Sequence, residues 1–121
     1  PIWHNAPEYQ VLDNETYETM GVTNAHFTAA NYDLHPAEVD YTKPKGTWNQ
    51  VKILVNQGKV EHWLNGNKVV SYELWTLEWE ALVQKSKFKD YPLYGKNKNG
   101  PIGLQDHGHL VRYRNVKIKR L

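Results

Sequence analysis

Two polar side chains that could bind a ligand or transfer protons lie close together near the end of the chain. In residues 102–107 (IGLQDH) strict alternation places Gln105 and His107 on one face of a predicted β-strand. An amide and an imidazole side by side can bind hydroxyl groups and exchange a proton near neutral pH. The spacing therefore predicts a polar site on this face.

A second predicted strand follows at residues 110–118, where Arg112 and Arg114 alternate with apolar side chains. If the two strands pair in antiparallel fashion, one or two guanidinium groups join the amide and the imidazole. The alternative is that both arginines are solvated and that the histidine belongs to a turn.

Composition limits the classes of protein that fit the chain. A length of 121 residues, 40% of them hydrophobic, predicts one domain over residues 1–121 with a sheet-based core. The net charge of +2 comes from 15 basic and 13 acidic residues that are interleaved, so we expect neither nucleic acid nor a membrane as a partner. Because the chain contains no cysteine, disulfides and thiolate metal sites are excluded.

The elements that must position these side chains are predicted to be mainly short strands. Residues 2–12 alternate as a first strand that places Glu8 and Gln10 on one face. A three-strand antiparallel meander is predicted farther along the chain, joined by tight turns at Asn-Gln-Gly and Asn-Gly, over residues 48–55, 59–64 and 68–74.

Within this meander, Val51, Ile53 and Val55 are predicted to form an apolar core face. The period changes at residues 74–85, which predict a short amphipathic helix, and residues 86–99 are predicted to be a loop. An all-β sandwich or jelly roll with one short helix is the predicted fold class.

Several short motifs occur together in this chain: EYQVLD, GTWNQVKI, HWLNG, SKF, GLQDHG and RNVKIKRL. In this order and spacing they resemble the 3-keto-disaccharide hydrolase domain family. The resemblance implies a concanavalin A-like lectin/glucanase fold, in which two antiparallel sheets pack as a jelly roll. It also implies a periplasmic or secreted bacterial protein.

Members of that family carry several further strands before the position that matches Pro1. The resemblance therefore implies that the chain is the C-terminal part of a jelly roll. We expect it to associate with its own N-terminal fragment or to form a homo-oligomer by strand exchange.

The resemblance also directs attention to Glu8, Gln10 and Asp13, which form an E-x-Q-x-x-D pattern. Glucanases of the same fold carry E-x-D-x-x-E, with two carboxylates that act as nucleophile and acid. Here an amide replaces the central carboxylate, and period-two parity separates Glu8 from Asp13, so a double-displacement mechanism is disfavoured. Glu8 is a candidate catalytic residue, Gln10 a candidate ligand for sugar and Asp13 more typical of a turn cap.

The remaining candidates are assigned by strand parity and residue type. His107 is the second candidate catalytic residue, because strand parity places it on the same kind of polar face as Glu8. His62 shares a face with core residues and is interpreted as a core histidine. The candidate substrate-binding residues are Gln10, Trp63 as a flat platform for a sugar ring, Lys87 in the SKF loop, Gln105, Arg112 and Arg114.

The activity implied by the resemblance is cleavage of a glucoside or disaccharide with a ketone at carbon 3. A base removes the acidified proton on carbon 2, and the resulting enolate expels the glycosidic oxygen. No zinc motif is present; a divalent cation such as calcium, held by Glu8 and Asp13, is an alternative means of stabilising the enolate. A lectin-like module that binds carbohydrate without catalysis is the alternative function.

Overall fold

The computed structural model describes all residues from Pro1 to Leu121, and its centre is a three-stranded antiparallel sheet. The strands are β1 (Val51–Asn56), β2 (Lys59–Leu64) and β3 (Asn67–Glu73), in the spatial order β1-β2-β3. There are two α-helices, α1 (Asn14–Glu18) and α2 (Leu77–Gln84), and three short 3₁₀ turns, at Ile2–His4, Asn24–His26 and Lys87–Asp90. The predicted meander is confirmed, and the helical content exceeds the single helix that was predicted.

Two tight turns set the register of the meander. Gln57 and Gly58 have φ values of 49° and 87°, and Asn65 and Gly66 have values of 49° and 84°. Two consecutive positive φ angles are characteristic of type I′ turns, whose twist matches that of paired strands. Asn56 consequently pairs with Lys59, and the next turn joins β2 directly to β3.

Asn65 also connects this turn to the chain before β1. Its side-chain oxygen accepts a hydrogen bond from the Gln50 N–H at 2.9 Å, and its amide nitrogen donates to the Tyr41 carbonyl at 2.7 Å. The same nitrogen is 2.8 Å from the side-chain oxygen of Asn49. One amide side chain therefore ties two backbone groups and the Asn49 side chain to the β2–β3 turn.

Two groups of buried side chains form the core. The first lies under the sheet and contains Ala29, Leu64, Val69 and Val70. The second lies under α2 and contains Leu34, Trp79, Val83, Phe88 and Tyr94. Tyr72 on β3 packs against both groups and so joins them.

The predicted core face of β1 is not covered. Val51, Ile53 and Val55 pair with buried residues of β2, yet they are 47%, 51% and 53% exposed. The predicted side chains do lie on the same face as the buried residues of β2, as the alternation indicated. They were wrongly predicted to be buried, because no segment of this chain packs over the outer strand β1.

Helix α2 begins later than its apolar pattern predicts. Trp75 has a φ of 65°, which interrupts the helical conformation, and the Thr76 side chain then caps the helix by accepting the Trp79 N–H at 3.1 Å. Trp79 and Val83, one turn apart, are the residues that the helix buries. Gly95 packs so closely on Trp79 that a β-carbon there would lie 2.5 Å from the indole ring.

The predicted strand at residues 2–12 forms only in part. Glu8 and Gln10 exchange backbone hydrogen bonds with residues 29–32, and Tyr9 pairs with Asn31 in an isolated bridge. The first residues instead form the 3₁₀ turn Ile2–His4, anchored where the Asn5 carbonyl accepts the Gly95 N–H at 2.8 Å.

The two strands predicted at residues 102–107 and 110–118 are absent. From residue 97 to the C-terminus no backbone group is hydrogen-bonded to another backbone group, and every side chain is exposed. Positive φ angles at Gly108 and Asn115 bend the segment twice. A strand requires a paired neighbour, and the alternating C-terminal residues pair with no strand of this chain.

Candidate functional site

Glu8 lies at the centre of the candidate site, together with two other predicted residues. Its carboxyl group is half-buried, and burial raises its pKa above the usual range, while the charges of Lys87 and His107 act in the opposite direction. Three side chains that are far apart in the sequence are therefore close enough to influence one proton. The structure thus brings together three of the predicted residues, although the path of the chain around them differs from the predicted one.

Tyr32 contacts Glu8, Lys87 and His26. Its N–H donates to the Glu8 carbonyl at 3.1 Å. The Lys87 ammonium is 3.9 Å from the centre of the Tyr32 ring, and the His26 ring lies at 4.6 Å from it. A cation over an aromatic face is held by the charge distribution of the ring, so Tyr32 orients Lys87 beside Glu8.

Asp33, the next residue, binds two partners with its carboxylate. One oxygen lies 2.9 Å from the His26 imidazole Nε2, and the other accepts the Lys87 backbone N–H at 3.2 Å. Sequence reasoning did not identify Asp33 or His26 as site residues, because both lie in loop sequence without periodicity. The only sequence signal was an acidic residue in a short turn-forming stretch.

Gln105 lies at a surface pocket of about 330 Å³ that the C-terminal segment forms. Leu104, Gln105 and Asp106 all line it, although strict alternation would send Gln105 to the opposite face. Tyr113 is another lining residue; burial raises its pKa and the nearby charge of Glu8 adds to the effect. The pocket is thus adjacent to the Glu8 group.

Trp63 is held by other contacts. Its indole N–H donates to the Glu61 carboxylate at 2.8 Å, and the Lys52 ammonium lies 3.9 Å from its ring centre. One face of the predicted platform is therefore occupied by a lysine of the same chain.

Three other predicted binding residues are not joined to Glu8 through their side chains. The Arg114 guanidinium lies 4.0 Å from the ring centre of Trp48. The Gln10 side chain accepts the N–H of Val11 at 3.1 Å. Arg112 is exposed and forms no hydrogen bond or ion pair within the chain.

Asp13 is a helix cap, as its position in the sequence suggested. Its carboxylate accepts the Thr16 hydroxyl at 2.7 Å and lies 3.1 Å from the Lys45 ammonium. These two hydrogen bonds lower the pKa of Asp13. The Asp13 carboxylate thus serves as the N-cap of α1.

The acidic and histidine side chains of this chain form no cluster that could hold a divalent cation. Calcium takes about six to eight oxygen ligands, and no group of three His, Asp or Glu side chains comes together here. The predicted pair, Glu8 and Asp13, is not completed by a third such donor. No helix has the length and apolar character needed to span a membrane.

His62 is a core residue, as predicted. It is 1% exposed, and its Nδ1 donates to the Ala29 carbonyl at 2.8 Å. Its Nε2 faces the Tyr72 hydroxyl at 3.5 Å. Burial lowers the pKa of His62 to about 4, against the smaller effect of the Ala29 carbonyl.

The class of protein follows from comparison with known families. One family model matches the chain over residues 1–119, which include the sheet and the segment that carries Glu8. The chain belongs to the 3-keto-alpha-glucoside-1,2-lyase-like domain family. The resemblance drawn from the short motifs is thereby confirmed.

Particular relatives are similar over the whole or most of the chain. A 3-keto-disaccharide hydrolase of Bacteroides thetaiotaomicron is 43% identical over 133 aligned residues, which cover 100% of this chain and 46% of that protein. A crystal structure from Parabacteroides distasonis, of a protein provisionally described as a glycosyl hydrolase, superposes with a TM-score of 0.70 at 33% identity. This match covers 78% of this chain and 45% of the Parabacteroides chain. The chain therefore spans about half the length of these relatives.

Proposed function

We propose that the chain forms part of a sugar-active enzyme that cleaves 3-keto-glucosides or 3-keto-disaccharides. Family membership and the name of the Bacteroides relative support the substrate class. The observation that carries the proposal is the Glu8 carboxyl, whose pKa is raised by burial while a lysine and a histidine lie nearby.

The reaction begins with removal of a proton. A ketone at carbon 3 acidifies the proton on carbon 2, and a base that takes this proton leaves an enolate with its negative charge on the ketone oxygen. The enolate re-forms the ketone as the bond between carbon 1 and the glycosidic oxygen breaks and a double bond forms between carbons 1 and 2. The leaving oxygen takes up a proton, and water later adds its hydroxyl to carbon 1 and a proton to carbon 2.

The residues at the site match the needs of this sequence. Glu8 is the proposed base, because a carboxylate with a raised pKa is a stronger base than an exposed one. Lys87 offers a positive charge for the enolate oxygen, and His107 is the proposed acid for the leaving group. Gln105 lines the adjacent pocket and is proposed to bind sugar hydroxyls.

The remaining predicted residues are proposed as outer contacts of a longer substrate. Trp63 presents its free ring face, while Gln10, Arg112 and Arg114 offer hydrogen-bonding groups away from Glu8. Their contribution is expected to depend on the leaving sugar and not on the keto sugar.

We also propose that a further strand-forming segment of the same longer protein completes a two-sheet jelly roll. The exposed face of Val51, Ile53 and Val55 and the unpaired backbone from residue 97 onward support this. Exchange of strands between two copies of this chain is the alternative. A periplasmic or secreted location is proposed from the family resemblance alone.

Sizing of the isolated chain by light scattering tests this second proposal. We expect an oligomer, and we expect a single copy to appear only when a complementing segment is added. The part of the Bacteroides relative that this chain does not match supplies that segment. A monomer of the isolated chain with cooperative melting would contradict the proposal.

The catalytic proposal is tested with a 3-keto-glucoside and its unoxidised parent, both carrying a chromogenic leaving group, in the presence of the same complementing segment. We expect release from the keto compound only, together with incorporation of solvent deuterium at carbon 2. Glu8→Gln and His107→Ala should each lower the rate by roughly 100-fold or more. The matched control Glu15→Gln, on the exposed side of α1, should not change it.

Binding of both sugars without release from either would instead indicate a lectin-like module. Release at equal rates from both sugars would exclude the elimination mechanism, because only the ketone acidifies carbon 2.

A further inference from the structure

We infer that Asp33 is a positioning residue of the site, which holds Lys87 in place beside Glu8. The kinetic part of this inference rests on the proposed function, whereas its structural part does not. Asp33 has no direct contact with Glu8; it acts through the backbone of Lys87, fifty-four residues farther along the chain.

The backbone of Asp33 is in an uncommon conformation. Its φ of 67° lies in the left-handed region, which L-residues other than glycine, asparagine and aspartate rarely adopt. Its N–H is held by the Ala25 carbonyl at 3.0 Å. Aspartate reaches this conformation more easily than most residues, because its short polar side chain can form local hydrogen bonds.

The carboxylate of Asp33 accepts a hydrogen bond at the start of the 3₁₀ turn Lys87–Asp90. The N–H of Lys87 belongs to the first turn, where backbone donors have no acceptor within the helix. Asp33 supplies that acceptor at 3.2 Å, while Ser86 caps the following N–H of Phe88 at 3.1 Å. The Lys87 backbone is thereby tied to the loop that contains Tyr32.

The consequence reaches the Lys87 side chain. With the backbone fixed, the ammonium lies 3.9 Å from the centre of the Tyr32 ring, and the backbone N–H of Tyr32 donates to the backbone carbonyl of Glu8 at 3.1 Å. The second oxygen of Asp33 lies 2.9 Å from Nε2 of His26, whose ring centre is 4.6 Å from that of Tyr32. Asp33 therefore holds the His26 ring directly and Lys87 through its backbone, and both residues contact this tyrosine.

The charge on Glu8 reports whether Lys87 is in place. The groups that face Glu8 are Lys87, His107 and the phenols of Tyr94 and Tyr113, and of these Lys87 exerts the largest charge effect on its pKa. Loss of Lys87 from this position raises the pKa of Glu8 further. Loss of the negative charge of Asp33, by itself, acts in the opposite direction.

These opposite signs make the test decisive. The titration midpoint of the Glu8 carboxyl carbon is measured by NMR in the unmodified chain and in the Asp33→Gly, Asp33→Asn and Lys87→Gln variants. Glycine tolerates the positive φ without strain, and asparagine keeps both the shape and one acceptor oxygen. Asp40→Asn, which removes a carboxylate hydrogen-bonded to Asn14, is the matched control.

We expect an upward shift of the Glu8 midpoint in Lys87→Gln, an upward shift in Asp33→Gly and a smaller one in Asp33→Asn. Asp40→Asn should leave the midpoint unchanged. In the active assembly, Asp33→Gly should lower kcat on the order of 100-fold with little change in KM, since Lys87 is displaced from the developing charge.

An unchanged or lowered Glu8 midpoint in both Asp33 variants, with the upward shift preserved in Lys87→Gln, would overturn the inference. Because the midpoint requires no turnover, this outcome is independent of whether the chain acts on 3-keto sugars. If the Glu8 midpoint shifts as expected in the variants but the unmodified assembly shows no activity, the proposed function is refuted. The positioning role of Asp33 then remains intact.

Discussion

The buried His62 predicts that the chain loses stability in mild acid. A histidine that is neutral inside the protein and free to protonate when unfolded favours the unfolded state as the pH falls. Its pKa is about 4 in the folded chain and about 6.5 in an unfolded one. The stabilisation is present above pH 6.5 or so and is lost progressively down to about pH 4.

The size of the effect follows from this difference. Each unit of pKa is equivalent to about 1.4 kcal/mol, so protonation of His62 should cost about 3 kcal/mol between pH 7 and pH 4. That is a large fraction of the stability of a typical small domain. The bond from Nδ1 to the Ala29 carbonyl would remain in the protonated form, while Nε2 would carry a charge in the core.

The assay compares the unmodified chain with a His62→Asn variant by urea denaturation at several pH values between 7 and 4, followed by tryptophan fluorescence. The asparagine amide can keep the bond to Ala29 but cannot titrate. His35 has a pKa lowered by burial, and Glu8 has a raised pKa whose effect on stability has the opposite sign. Both residues are present in the two proteins, so their own contributions cancel, while the charge effect of His35 on His62 is counted with His62.

We expect the variant to be less stable at pH 7 and to have a shallower dependence on pH. The difference between the two proteins should shrink by about 3 kcal/mol as the pH falls to 4. Parallel curves over this range would refute the reasoning and show that His62 is solvated or partnered when charged.

Two further predictions concern packing, measured by thermal unfolding at neutral pH. Leu64→Ala removes a side chain that is 0% exposed, so a loss of roughly 2–5 kcal/mol is expected. Ile53→Ala, at 51% exposure, should cost about 1 kcal/mol or less; equal losses would mean that β1 is covered. Gly95→Ala would place a β-carbon 2.5 Å from Trp79 at a φ of 67°, so it should destabilise the chain far more than Gly21→Ala. At Gly21 the φ is 80° and the space is open, so similar melting temperatures would show that Trp79 moves aside freely.

The meander could be predicted from the sequence because its signals are local. The Asn-Gly pair at residues 65 and 66 specifies the β2–β3 turn, and alternation in β2 specifies which residues are buried. The burial of β1 could not be predicted in the same way, since the alternation of Val51, Ile53 and Val55 says nothing about what packs over them.

The C-terminal residues show the limit of periodicity most clearly. Alternation at residues 102–107 is typical of a strand, but strand formation depends on a neighbouring edge that the pattern cannot specify. From the sequence, His107 and Glu8 were predicted only to lie on the same kind of polar strand face, and not to lie close to one another. Asp33 and His26 lacked any periodic signal and became recognisable through their contacts.

The Asn65 side chain has a consequence for how the protein ages. An asparagine followed by glycine is prone to cyclise and lose its amide, because the next residue has no side chain to hinder the backbone nitrogen. Here the amide nitrogen donates to two oxygens, the Tyr41 carbonyl at 2.7 Å and the Asn49 side chain at 2.8 Å. Deamidation would put a carboxylate against both, so stored protein should lose order first where residues 41–50 meet the β2–β3 turn.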